Sequence, residues 1–239
     1  MKETKLTFKR YEKKYILSGE QYAALRKELS GRIHPDVFFQ STVCSIYYDD
    51  DTYRLIRHSI ESPVYKEKLR LRSYNVPGED STVFVELKKK FDGIVYKRRV
   101  AVTAAQARAW LSGGDAPTDS QVTREINWFL RTNDPSPKVF IACEREAYVA
   151  NEDEDLRITF DQDLRWRDTE LELTAGSHGQ PLLPEGYVLM ELKIPGAAPL
   201  WLADILSRLE IFPTGYSKYG TCYREHIINK QFNGVITHV

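Results

Sequence analysis

The chain has 239 residues, 42% of them hydrophobic, so it can bury a sizeable core as one large domain or two small ones. Lys plus Arg and Asp plus Glu each number 34, which gives a net charge of zero and disfavours a general nucleic-acid-binding or membrane-surface protein, because such proteins usually carry a basic excess. The three cysteines form no CxxC pair and no apolar run approaches the roughly 18 residues of a membrane span, so we expect a soluble, cytoplasmic protein, with a membrane-bound partner left open.

Alternation of apolar and polar side chains with period two dominates the chain and predicts strands. No repeat, low-complexity tract or long linker divides the sequence, so we expect a single domain over 1–239. The expected fold class is α+β, with an eight-stranded antiparallel β-barrel and helices packed outside it. The strands are predicted at 6–17, 41–50, 64–74, 81–90, 94–102, 138–149, 156–167 and 187–194, with a tight hairpin turn at 91–93.

Three or four helices are predicted between and after these strands. Ser18 with Gln21, and Thr103 with Gln106, have the spacing of a capping box, and each pair therefore predicts the start of a helix. Further helices are predicted at 119–131 and from Pro199 onward, and the tail from Tyr223 is expected to be irregular.

Basic side chains recur at every second position of several predicted strands. In YKEKLRLRSY (65–74) the four cations share one face of the strand, because side chains alternate between faces. A row of alternating charges on one strand is here called a ladder. A solvated outer face explains any single ladder, because charged side chains in water cost little free energy. The predicted helices, however, need the apolar sides of the strands, so the charged sides would face a lumen that must hold water or a counter-charge such as a polyphosphate. The other ladders are Arg10, Glu12 and Lys14; Glu86, Lys88 and Lys90; Lys97 and Arg99; Arg157, Thr159 and Asp161; and Glu191 and Lys193, whereas Lys89 and Arg98 fall on the opposite, surface side.

Nine short segments in their order along the chain resemble the VTC-type polyphosphate polymerase domain, a branch of the triphosphate tunnel metalloenzyme (CYTH-like) superfamily. The resemblance covers about residues 6–225 and implies an eight-stranded antiparallel tunnel with helices outside. The segments are RYEKKY (10–15), SIYYDD (45–50), EKLRLRSY (67–74), VFVELKKK (83–90), VYKRR (95–99), CEREAY (143–148), LRITFD (156–161), VLMELKI (188–194) and GYSKYG (215–220).

The resemblance also implies roles for single residues, which we expect to line one cavity. The metal-binding glutamate is expected at Glu191, helped by Glu12 or Glu86, and would hold Mn²⁺ or Mg²⁺, since hard cations choose carboxylate and phosphate oxygen. Catalytic cations are expected at Lys14, Arg70, Arg72, Lys88, Arg145 and Lys218, and triphosphate-binding cations at Lys97, Arg99 and Arg157. The alternating charge pattern adds Arg10, Lys68 and Lys193 to the triphosphate-binding set. The E-x-E-x-K motif of CYTH hydrolases is Arg10-x-Glu12-x-Lys14 here, which favours the polymerase branch over a triphosphatase.

The activity implied by the resemblance is transfer of the γ-phosphate of ATP to phosphate or to a growing polyphosphate chain, inside a basic tunnel with a divalent metal. The expected partners are ATP, phosphate, polyphosphate or another triphosphate, and no specific nucleic acid. Two alternatives stay open, namely a metal-dependent triphosphate hydrolase of the same fold and a non-catalytic polyanion-binding module. Chain growth from ATP would identify the first function, phosphate release the second, and metal-independent binding without turnover the third.

Overall fold

A computed structural model describes residues 10–92 and 94–229, apart from the side chain of Arg10. The predicted strand residues 6–9 and Gly93 of the predicted turn lie outside the described residues. The described part contains nine strands and six α-helices, and this confirms the α+β class. The strands are β1 Arg10–Leu17, β2 Ile33–Asp49, β3 Tyr65–Tyr74, β4 Thr82–Phe91, β5 Ile94–Thr103, β6 Ser136–Ala150, β7 Arg157–Arg167, β8 Gln180–Pro181 and β9 Val188–Pro195.

The helices begin where the sequence predicts them in four cases. Both predicted capping boxes are present; in the first, the Ser18 hydroxyl accepts from the Gln21 backbone N–H at 3.1 Å while the Gln21 side chain accepts from the Ser18 N–H at 3.1 Å. Two short helices were not predicted. The prediction of an irregular tail was wrong for Tyr223–Ile227, which forms a π-helical turn. The helices are α1 Gly19–Leu29, α2 Arg54–Ile60, α3 Ala104–Leu111, α4 Gln121–Asn133, α5 Leu200–Arg208 and α6 Lys218–Cys222.

The described strands are hydrogen-bonded in the order β1-β9-β7-β6-β2-β3-β4-β5, with β8 beside β7. The strand pairs β1–β9, β9–β7, β2–β3, β3–β4 and β4–β5 are antiparallel, which confirms the predicted antiparallel sheet. The order begins at β1 and ends at β5, so closure into a barrel stays a prediction. No helix within the described ranges has both the length and the apolarity to cross a bilayer.

The chain divides into two compact units, each assembled from separate stretches of sequence, and the predicted single domain stays untested. The first unit comprises residues 10–41, 143–164 and 183–216, and the second comprises 42–142, 165–182 and 217–229.

Each unit has its own apolar core on one side of its strands. In the first unit, Leu25 of α1 and Leu202 of α5 pack with Phe160 and Met190 of the strands. In the second, Trp110 of α3 and Phe129 of α4 pack with the apolar side of β3 and β4. Burying these helix faces against the odd-numbered side chains of β3 and β4 leaves the even-numbered, charged side chains on the other face, which is the face that carries the candidate site.

Candidate functional site

Three neighbouring strands of the second unit carry a row of lysines. Lys68 of β3 lies opposite Lys88 of β4, and Lys88 lies opposite Lys97 of β5. Like charges directly opposite one another on a sheet destabilise the pairing, and the ammonium group of Lys97 contacts a carboxylate of the next row, Oε1 of Glu86, at 2.8 Å. The row is therefore a place where an anion would stabilise the fold.

The next row is built around a buried carboxylate. Glu86 is 1% exposed and lies opposite Arg70 on one side and Arg99 on the other. Its Oε2 accepts from Nε of Arg70 at 2.6 Å, while its Oε1 accepts from Nε of Arg99 at 2.6 Å and contacts Nζ of Lys97 at 2.8 Å. Burial would raise the pKa of Glu86, but Arg70 and Lys97 lower it far below its ordinary value. Glu86 is therefore an anion that holds three cations in place.

Aromatic rings support the arginines of this face. The guanidinium of Arg72, a residue 6% exposed, lies 4.7 Å from the ring centroid of Tyr74. That of Arg99 lies 4.0 Å from the centroid of Phe84, and its Nη2 donates to the Tyr74 hydroxyl at 3.3 Å. Burial opposes ionisation of Tyr74, yet Arg72 and Arg99 lower the net pKa of its hydroxyl. Flat stacking of this kind fixes the planar groups that bind phosphate bidentately.

Lys218 is held through the first turn of α6. It is the first residue of this helix, and the Ser217 hydroxyl caps the helix by accepting from the Gly220 N–H at 3.3 Å. The same hydroxyl accepts from Nζ of Lys68 at 3.3 Å, so Ser217 joins the lysine row to the start of α6. Tyr219 fixes the helix further, since its hydroxyl donates to the buried Asp49 at 3.1 Å.

The opposite side of β4 and β5 has a separate ion-pair cluster. Nε of Arg98 donates to Oε2 of Glu125 at 3.2 Å, and Nζ of Lys89 lies 3.8 Å from the same oxygen. Lys89 also lies 3.5 Å from Oε1 of Glu67. Lys89 and Arg98 thus sit away from the candidate site, as their sequence parity predicts, and they provide matched controls for it.

In the first unit, Glu191 connects two cations. Lys14 of β1 lies opposite Glu191 of β9, with 3.4 Å between Nζ and Oε1. Nη2 of Arg145 lies 3.6 Å from the other oxygen, Oε2. Lys14 also approaches Oε1 of Glu12 at 3.6 Å, and the Glu12 side chain is 38% exposed. These contacts are longer than those around Glu86, where the distances are 2.6–2.8 Å.

Arg145 is fixed by a carboxylate that the sequence analysis did not assign to the site. Asp161, fully buried, accepts two hydrogen bonds from Arg145, at 2.6 Å from Nε to Oδ1 and 2.7 Å from Nη2 to Oδ2. Burial opposes the charge on Arg145, but Asp161 and then Glu191 raise its pKa well above the ordinary value. The sequence does contain a signal for Asp161, because alternation places it on the same strand face as Arg157 and Thr159.

The remaining predicted residues of the first unit lie along the same strands. Nη1 of Arg157 donates to Oδ2 of Asp36 at 3.0 Å, and the Arg157 side chain is 45% exposed. Lys193 lies opposite Glu12 on one side and Arg157 on the other. The side chain of Arg10 lies outside the described residues. That the predicted residues of both units face a single cavity stays a prediction.

A comparison with protein-family models identifies the family. The family model of the VTC domain matches residues 9–226. The chain belongs to the VTC domain family. This confirms the resemblance found in the sequence. Among curated proteins, a search finds no significant match.

The fold of this VTC domain is also found in solved structures of low sequence identity. A putative adenylate cyclase from Bacillus halodurans has a TM-score of 0.54 at 13% identity, with 86% of this chain and 92% of that chain covered. A putative adenylyl cyclase from Hippeastrum, described as having a dominant triphosphatase activity, has a TM-score of 0.51 at 15% identity, with 89% and 94% covered. At these identities the likeness establishes the fold.

The carboxylates of the VTC domain differ in how well they suit a divalent cation. Within the described residues no three His, Cys, Asp or Glu side chains converge into a ready-made metal cage. Mg²⁺ and similar ions are commonly held by one or two carboxylates together with substrate phosphates, so a cage is not required. Glu191, with a 12% exposed side chain and cation contacts of 3.4 and 3.6 Å, fits this arrangement. Glu86 fits it poorly, because three cations already occupy its two oxygens.

Proposed function

We propose that this VTC domain is a polyphosphate polymerase that transfers the γ-phosphate of ATP to phosphate or to a growing polyphosphate chain. The row of Lys68, Lys88 and Lys97 is the observation that carries the proposal, because the register of β3, β4 and β5 sets three lysines directly opposite one another. A chain of phosphates supplies regularly spaced negative charge that matches such a row. Family membership supports an enzyme that acts on triphosphates.

The cations of the two units have distinct tasks in this proposal. Arg70, Arg72 and Arg145 are fixed by ion pairs or aromatic rings, so they present guanidinium groups in set orientations to phosphate oxygens. Lys14 and Lys88 act as mobile point charges. Fixed guanidinium groups and lysine ammonium groups of this kind orient phosphate oxygens and neutralise the charge that develops on them, and phosphoryl transfer requires mainly this positioning and neutralisation.

The acceptor is proposed to be phosphate rather than water because the buried carboxylates that contact the candidate cations are already engaged by those cations. Glu86 is bonded to Arg70, Lys97 and Arg99, and Asp161 is bonded twice to Arg145. Burial opposes the charge on Glu86, but Arg70 and Lys97 hold its pKa far below the ordinary value, which makes Glu86 a poor base for water. A phosphate acceptor is already anionic and needs no base.

The divalent ion proposed for this reaction is Mn²⁺ or Mg²⁺. When bound, such an ion neutralises phosphate oxygens and helps to orient the transferred group. Glu191 is proposed to hold the ion, and Glu12 is the second carboxylate near Lys14.

The proposal is tested by incubating the protein with ATP and Mn²⁺ and separating the products by chain length. Accumulation of long polyphosphate together with ADP supports the polymerase. Release of free phosphate without chain growth would instead establish a triphosphate hydrolase, the alternative that the triphosphatase described for the Hippeastrum protein favours. Binding of tripolyphosphate without turnover in either assay would establish a non-catalytic polyanion-binding module. A cytoplasmic location is part of the proposal and follows only from the cysteine pattern.

A further inference from the structure

The end of the β4–β5 hairpin and the adjoining start of β3, here named the hairpin end, expose large apolar side chains. Tyr65, Phe91 and Ile94 lie side by side across the three strands and are 43%, 53% and 55% exposed. Val95 and Tyr96 follow on β5 and are 49% and 45% exposed. A cluster of exposed apolar side chains on a soluble protein marks an interaction surface.

The apolar side chains of the hairpin end occupy both faces of the sheet. Tyr65, Phe91 and Ile94 are directly paired and therefore share one face, whereas Val95 pairs with Lys90 on the other face. A protein partner that covers one face would leave the other exposed. A medium that surrounds the end of the hairpin would cover both.

Lysines lie directly behind this apolar end. Lys66, Lys90 and Val95 form the second row, and Lys88 stands two residues further along β4. At about 3.4 Å per residue, the backbone positions of these lysines lie about 3–10 Å from the first apolar row. Burial lowers the pKa of Lys66, and the neighbouring charges of Lys90 and Lys88 lower it further. The lysines behind the hairpin end therefore repel one another, and an anionic surface would reduce this repulsion.

We propose that the hairpin end is a docking site for an anionic lipid bilayer, with its aromatic and aliphatic side chains in the headgroup boundary and Lys90 against lipid phosphates. Interfacial segments of other proteins bury apolar side chains about 5–10 Å deep, a depth that matches the distance between the apolar row and the lysines. Lys and Arg side chains near an anionic surface add an electrostatic attraction that salt screens. A second copy of the chain would bring like charges together, which disfavours self-association at this surface.

The test is co-sedimentation of the whole protein with vesicles of phosphatidylcholine alone and of phosphatidylcholine mixed with phosphatidylserine. We expect binding to the mixed vesicles only, weakened by high salt. Replacing both apolar residues, Phe91→Ser with Ile94→Ser, is expected to lower the partition coefficient by roughly tenfold or more. Lys90→Gln should remove part of the salt-dependent attraction. Since Phe91 and Ile94 are more than half exposed, their replacement should leave the melting temperature unchanged. If the double variant fails to fold, the single variant Ile94→Ser replaces it in the vesicle assay.

The matched control is Phe38→Ser, because Phe38 is 80% exposed but lies on β2 in the first unit. Its partition coefficient should equal that of the unchanged protein. A further arm contains excess tripolyphosphate, which should leave vesicle binding intact. The proposal is overturned if the protein does not bind mixed vesicles, or if Phe38→Ser lowers the partition coefficient as much as the hairpin variants do. It is also overturned if tripolyphosphate competes with the vesicles, because this would show that lipid headgroups enter the lysine row. It is also overturned if the hairpin variants change the sedimentation coefficient without vesicles, since the surface would then join two copies of the chain.

Discussion

Arg70 and Glu86 lie directly opposite each other on β3 and β4, and both Nε and Nη2 of Arg70 approach the same carboxylate oxygen at 2.6 Å. The other oxygen of Glu86 is occupied by Arg99 and Lys97. One buried negative charge therefore serves three cations. This relationship leaves the group of side chains with a net positive charge that an anionic substrate can neutralise, and it argues for Glu86 as an orienting residue in place of the predicted metal ligand.

Replacing Glu86 by Gln is expected to destabilise the protein and to increase its response to polyanions. The change leaves three cations without their shared counter-charge. We expect the free energy of unfolding to fall by about 3 kcal/mol, which is the lower end of the range for breaking a buried ion pair. The lower end applies because water reaches the three cations. Tripolyphosphate should restore more stability to Glu86→Gln than it adds to the unchanged protein. Denaturant unfolding with and without tripolyphosphate measures both effects.

Glu125→Gln is the control for that experiment. Glu125 pairs with Arg98 and Lys89 on the opposite side of the strands, and its side chain is 23% exposed. Its replacement should cost little stability and should not alter the response to tripolyphosphate. An equal response of the two variants would contradict the role given to Glu86.

The stability supplied by Glu86 should depend on pH in the acid range. Burial would raise the pKa of this carboxyl, but Arg70 and Lys97 hold it far below its ordinary value. A depressed folded-state pKa contributes stability above the unfolded-state pKa of about 4.3 and loses it as the pH falls below that value. The difference in unfolding free energy between the unchanged protein and Glu86→Gln should be constant from about pH 7 to pH 5 and should shrink below about pH 4. A difference that grows on acidification would refute this assignment.

Truncation of the site arginines should weaken triphosphate binding specifically. Arg70→Ala and Arg72→Ala each remove a charge-assisted hydrogen bond, and we expect a loss of roughly 1.5–3 kcal/mol in binding free energy. Arg98→Ala, one residue away from the site ladder on β5, is the matched control and should bind as the unchanged protein does. Calorimetric titration with tripolyphosphate, alongside a melting curve for each variant, separates lost binding from lost folding. Equal affinity in Arg70→Ala and Arg98→Ala would place the anion elsewhere.

Removing the charge of Glu191 should separate metal binding from anion binding. Glu191→Gln keeps the side-chain shape, so Lys14 and Arg145 remain available for phosphate oxygens while the proposed metal ligand is lost. We expect a large fall in Mn²⁺-dependent turnover, with metal-free tripolyphosphate binding unchanged or stronger. Titrations with and without Mn²⁺ measure the two effects. Normal Mn²⁺ binding and normal turnover in this variant would exclude Glu191 as the metal ligand.

Local features of the fold could be predicted because they depend on neighbours in the sequence. The capping boxes at Ser18 and Thr103 join residues three apart, and both are present. Helix α2 was missed since its cap is remote. Asp50 accepts from the N–H of Arg54 at 3.0 Å, and Asp49 accepts from the N–H groups of Leu55 and Ile56 at 2.9 Å. A cap that arrives from six or seven residues away leaves no short motif.

The sequence by itself determined which side chains share a strand face, since alternation is a property of a single extended chain. It separated Arg99 from Arg98, and the structure places them with Glu86 and Glu125 on opposite sides. Only the tertiary structure decided which charges meet, because partners on different strands are set by register and by chain folding. Register alone places Glu86 between Arg70 and Arg99, and it is the meeting of β6 with β7 residues that gives Arg145 its bidentate partner Asp161.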